Sequence, residues 1–148
     1  MSKFLVFAEF QKGTLKRSSQ ELLQFAAQTG QPVAAIALGS QADAGVQQLA
    51  HYGAQEVYLS KNADFDVYNP ELFSSVVSDV ISQSGAKFVL ASASSTAKDL
   101  FPRVSARVNA GLVSDGTELL FNNDALTVKK PLYSGKCVAT GQFENTNI

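Results

Sequence analysis

Apolar residues come in two textures along this chain. Four short, mostly apolar runs lie at 5–8 (Leu5-Val6-Phe7-Ala8), 33–38 (Val33-Ala34-Ala35-Ile36-Ala37-Leu38), 56–59 (Glu56-Val57-Tyr58-Leu59) and 88–91 (Phe88-Val89-Leu90-Ala91). A run without polar alternation predicts a strand covered on both faces, as parallel strands are when helices pack above and below them. Between the runs, apolar residues return every three or four positions over stretches long enough to cross over to a new parallel strand.

The first such stretch predicts a helix over 18–29, with Leu22, Phe25 and Ala26 on one face and Gly30 at its end. The second covers 42–52, clusters Val46, Leu49 and Ala50, and stops at Gly53. The third opens with Asn69 as N-cap and Pro70 at the first helical position. It then carries Leu72, Phe73, Val76, Val77, Val80 and Ile81 in rows four apart as far as Gly85. A fourth is signalled over 96–109 by Leu100, Phe101, Val104 and Val108. Pro102 bears on where it starts. Begun at Thr96, the helix would hold a proline ring against the Lys98 carbonyl; begun with Asp99 as N-cap, it has the proline in its first turn, where a missing N–H does no harm. A regular helix from Asp99 is expected.

After Gly111 the pattern changes. Glu118-Leu119-Leu120-Phe121, the polar turn Asn122-Asn123-Asp124 and Ala125-Leu126-Thr127-Val128 read as a hairpin, and a further strand over 136–143 follows Pro131 and Gly135. Four βα units and an antiparallel C-terminal appendage make one three-layer α/β domain over 1–148. Its sheet is expected to be mixed but mostly parallel and flanked by helices.

Composition adds limits. At 148 residues, 45% hydrophobic and 17% charged, the chain has the makings of one well-packed core. Thirteen acidic against twelve basic side chains leave no field to hold nucleic acid or an anionic membrane. The apolar run near Met1 is too short to span a bilayer and no signal or transit peptide is expected, which points to a bacterial cytoplasmic protein rather than one of the mitochondrial matrix. The single cysteine, Cys137, lies in an alternating stretch where a small apolar thiol suits a strand interior.

Chemistry on such a fold belongs at the carboxyl ends of the parallel strands, and the loops there are thinly furnished. Phe10-Gln11-Lys12-Gly13-Thr14 after the first strand holds neither a dinucleotide fingerprint nor a P-loop. One histidine, His51, and one cysteine leave only scattered carboxylates for metal. His51 falls in the last turn of the second helix, where it suits the negative end of the dipole, and no Gly-x-Ser-x-Gly elbow offers it a nucleophile. The segment Ser92-Ala93-Ser94-Ser95-Thr96-Ala97-Lys98-Asp99 gathers hydroxyls and Lys98 at a helix start, an arrangement able to hold phosphate. Without glycine, and with Asp99 to repel an anion, capping of the helix is the favoured role. No catalytic, cofactor-binding or metal residue is therefore assigned.

The string from Ser95 to Arg107, with Asp99-Leu100-Phe101-Pro102-Arg103 at its centre, followed by Gly111-Leu112-Val113-Ser114-Asp115, resembles a segment of electron-transfer flavoprotein α subunits. The resemblance extends to Ala8-Glu9, Leu15-Lys16, Tyr52-Gly53-Ala54 and Lys130-Pro131-Leu132-Tyr133-Ser134-Gly135-Lys136, in the family's order and over essentially the whole chain. The family usually has glycine where this chain has Ala97, a change that tells against close backbone approach there and leaves capping intact.

The resemblance implies the adenine nucleotide α-hydrolase-like fold and an FAD-containing heterodimer that takes electrons from dehydrogenases to a quinone reductase or another acceptor. It also implies that this chain is the N-terminal domain. FAD would then sit in a C-terminal domain of the α subunit, beginning shortly after Phe143 and absent here, and the N-terminal domain would be a non-catalytic scaffold packed against the β subunit. The Ser92 to Asp99 loop would be the faded counterpart of an AMP loop in that β subunit. The runner-up is a free-standing adenine-nucleotide module of universal-stress type, which calls for glycine in that loop. Three expectations follow: no flavin on the chain alone, weak or no adenine nucleotide binding, and a fixed pair for Arg103. That pair is expected with Asp115, with carbonyls near Ser114 or across an interface, so that lysine there should destabilise the domain or its assembly.

Overall fold

The computed structural model describes residues 3–11, 13–40, 42–92, 94–109, 118–122, 125–132 and 137–143, the last three segments and residues 43–44 for the most part by their backbone alone. Four strands, β1 (Phe4–Phe7), β4 (Val33–Leu38), β5 (Glu56–Ser60) and β6 (Phe88–Leu90), form one wholly parallel sheet in the order β5-β4-β1-β6. Phe4 sits level with Val33 on one side and Phe88 on the other.

The central strand is apolar throughout because both its faces are covered. Successive side chains of a strand point to opposite faces. Phe4, Val6 and Ala8 therefore join Leu23 and Ala26 of helix α1 (Arg17–Gln28) and Leu49 of helix α2 (Val46–His51). Leu5 and Phe7 join Val77 and Ile81 of α3 (Pro70–Ser84) and Leu100 and Val104 of α4 (Ser95–Val108). The result is a helix layer on each face of the sheet. The chain winds from β1 to β4 to β5 in one direction, then returns past β1 to β6, so the strand order reverses between β1 and β6.

The α3 boundaries follow the sequence signals. The Asn69 side chain accepts from the Glu71 and Leu72 amides, Pro70 opens the helix, and Gly85 closes it with φ 69°. Elsewhere the structure differs from expectation. The stretch over 42–52 is a 3₁₀ turn (Ala42–Gly45) leading into α2, and Gly45 lies beneath the Phe10 ring, where any β-carbon would overlap it. A small hairpin, β2 (Phe10–Gln11) paired with β3 (Thr14–Leu15), occupies what reads in sequence as a plain loop; Gly13, at φ 77°, lies between its strands.

Helix α4 does not start at Asp99. It begins one turn earlier, at Ser95, with Ser94 as N-cap accepting from the Ala97 amide at 3.1 Å, and it runs through Pro102. Ala97, Leu100, Phe101 and Val104 are all buried. The added turn buries Ala97 and caps its amide on the Ser94 hydroxyl, and it is kept despite a mid-helix proline costing about 3 kcal/mol.

The sheet is also not mixed. Strands β7 (Glu118–Asn122), β8 (Ala125–Leu132) and β9 (Cys137–Phe143) form an antiparallel sheet of their own. Among the described residues, side chains rather than strand pairing join it to the core. Phe121 packs edge-on against Phe4 and Phe88, at 5.3 and 6.0 Å between ring centroids, and Leu126 is buried in the same cluster. The architecture is three layers, a parallel sheet flanked by helices, with an antiparallel C-terminal appendage.

Candidate functional site: the crevice at the strand ends

Open α/β sheets bind ligands outside the carboxyl ends of their strands, where the strand order reverses. A crevice of about 430 Å³ lies over the ends of β1 and β4, beside that reversal, lined among others by Glu9, Lys16, Ser40, Asp66, Tyr68 and Thr96. Its polar groups are largely engaged with one another.

Glu9 follows directly on β1, and its side chain is only 10% exposed. One carboxylate oxygen accepts from the Ser94 hydroxyl at 2.6 Å and the Ser92 hydroxyl at 3.4 Å; the other lies 3.4 Å from the Lys16 ammonium. Its backbone is held as well, the amide donating to the fully buried Ser19 hydroxyl and the carbonyl accepting from the Lys16 amide.

Across the crevice, Asp66 accepts from the backbone amide of Ser40 at 2.8 Å and from its hydroxyl at 2.7 Å. These two bonds, the amide first, hold its carboxyl below the usual carboxylate range. Gly39 makes the turn possible: its φ is 122°, and a β-carbon there would stand 3.1 Å from Asp66. The Tyr68 hydroxyl donates to Asp99 at 2.5 Å and ties the loop before α3 to the first turns of α4. Burial, with help from the Asp99 carboxylate, pushes the Tyr68 phenol up to about 12, while the Tyr68 hydrogen bond and the Arg103 charge draw Asp99 down.

The segment singled out in the sequence is thus drawn together, around protein groups. Ser92 and Ser94 turn onto Glu9, Thr96 lines the crevice, Ala97 lends its amide to the cap, and Asp99 holds Tyr68 and Arg103. Arg103 pairs with Asp99 one helical turn back, at 3.4 Å and largely in solvent. Asp115 and Ser114, its expected partners, lie outside the described residues. His51 is exposed in the last turn of α2, edge-on to Tyr52. Cys137 opens β9 opposite Leu132. Among the described residues, no three His, Cys, Asp or Glu side chains gather as a metal site would require, and no helix is long and apolar enough to cross a membrane. Sequence reasoning missed Glu9, Asp66 and Tyr68 as site residues; a charge placed directly after an all-apolar strand was the available signal for the first.

The fold and the crevice define a doubly wound α/β domain whose strand-end polar groups are largely bonded to its own side chains. Residues 4–146 match the electron transfer flavoprotein domain, and the chain belongs to that family. It is 33% identical to a protein named FixB from Clostridium saccharobutylicum over 91% of its length, and 28% identical to the electron transfer flavoprotein subunit alpha of Bacillus subtilis over 90%. It spans 42% of the length of each of these relatives. Among solved structures, a universal stress protein from Archaeoglobus fulgidus aligns with 74% of this chain and 89% of its own at a TM-score of 0.46 and 14% identity.

Proposed function

We propose that residues 1–148 act as the N-terminal scaffold and subunit-interaction domain of an electron-transfer flavoprotein α subunit, without catalytic, metal-binding or cofactor-binding residues of their own. The family match over residues 4–146 supports the electron-transfer role. The observation that carries the scaffold reading is the crevice itself, where Glu9, Asp66 and Asp99 already hold the hydroxyl donors a nucleotide would need. In this proposal FAD is held by a separate α-subunit domain together with the β subunit, and electrons pass from dehydrogenases to an acceptor oxidoreductase. Bacterial relatives and a single cysteine support a cytoplasmic setting.

Three measurements test the reading. The purified chain should show no flavin absorbance and, by calorimetry, no adenine nucleotide binding in the low micromolar range, which corresponds to about −8 kcal/mol. Mixed with an electron-transfer flavoprotein β subunit and a flavin domain supplied as a separate chain, it should co-sediment as one complex. Stoichiometric yellow colour on the chain alone, tight AMP binding, or failure to join that complex would each count against it.

A further inference from the structure

We propose that Glu9 is the resident anion of the strand ends: its carboxylate takes the place where an open α/β sheet of this winding would take an external anion, and ties the end of β1 to the start of α4 from within. Three observations carry this. The strand order reverses between β1 and β6, and Glu9 stands at the end of one while Ser92 and Ser94 stand just past the end of the other. The carboxylate is nine-tenths buried and aimed at the start of α4 rather than at solvent. Its donors form a chain, since the Ala97 amide donates to the Ser94 hydroxyl, which donates in turn to Glu9. Each bond polarises the next, so the positive end of the helix reaches the carboxylate through Ser94.

Lys16 completes the shell from the opposite side. Glu9 thus bridges the end of β1, the start of α1 and the start of α4. An external phosphate meets a carboxylate already in place and is kept out by its charge as well as its volume.

The test removes the internal anion and supplies one from outside. Glu9→Ala should lower the melting temperature by about 3 °C or more, and formate or phosphate should restore most of that loss relative to chloride at equal ionic strength. The wild-type chain should melt alike in all three salts. A loss of stability that neither anion repairs overturns the proposal, as does a wild-type chain that gains as much from the anions as the variant. Should Glu9→Ala fail to fold, Glu9→Gln keeps the shape and removes the charge; it should melt below the wild type, and equal melting overturns the proposal.

Discussion

The Tyr68 hydroxyl and the Asp99 carboxylate each change how the other titrates. Burial and the carboxylate raise the phenol from 10.0 to about 12, so its contribution to stability is complete below pH 10 and is lost as the pH rises through 12. Asp99 moves the other way. Its contribution is complete above the ordinary value of 3.8 and is lost as the pH falls through the lowered one. In Tyr68→Phe the Asp99 carboxyl should titrate closer to 3.8, which carboxyl chemical shifts would report; an unchanged titration would remove the hydrogen bond as the cause. In an ultraviolet titration, one phenol of the wild type should ionise near 12 and move down only part of the way in Asp99→Asn, because burial is the larger cause. Among the described residues, Arg103 pairs with Asp99 alone. That pair is exposed and local to one helix, so if it is the whole of the arginine's role Arg103→Lys should leave the melting of the domain nearly unchanged, whereas a fixed pair with Asp115 or with carbonyls near Ser114 should lower it by about 1 kcal/mol or more.

Helix α4 is where local rules and packing disagree. A start at Asp99 spares Pro102, and the structure overrides that economy with a turn that buries Ala97 among the α3 and sheet residues and caps its amide on Ser94. The two arrangements predict opposite outcomes for Pro102→Ala. In a helix continuous from Ser95, alanine returns an amide to the Lys98 carbonyl and should stabilise by about 1 kcal/mol or more. In a helix beginning at Asp99 it would replace a favoured first-turn residue and bring no gain. Thermal melting distinguishes them. At the start of α3, where cap, proline and apolar rows agree, the sequence was legible to the residue. Asn69→Ala should cost about 1 kcal/mol there, since it removes the acceptor of two amides, and a variant as stable as the wild type would show that the cap contributes little.

For the molecule as a whole, the open question is how the antiparallel sheet stays on the parallel one without a shared strand pair. Among the described residues, Leu119, Phe121 and Leu126 join them, Phe121 through its edge-on packing with Phe4 and Phe88. Phe121→Ala should therefore cost about 3 kcal/mol and loosen β7, β8 and β9 together. Hydrogen exchange should show their amides opening before those of β1 and β4. If exchange in the two sheets stayed coupled and melting did not change, another contact would have to join them.

The four parallel strands, the helices between them and the hairpin after them could be read from sequence because each rests on a period of two or of 3.6, or on a cap or a turn, all set by neighbours along the chain. The family could be read as well, since its motifs are strings of adjacent residues. Tertiary structure alone decided the rest: that β7 to β9 form a separate sheet, that α4 accepts a proline, and that Glu9 meets Ser92 and Ser94 from more than eighty positions away. Each of these depends on which surfaces meet once the sheet has been wound in both directions from β1. No local period carries that information, because residues so far apart along the chain become neighbours only when the strand order reverses between them.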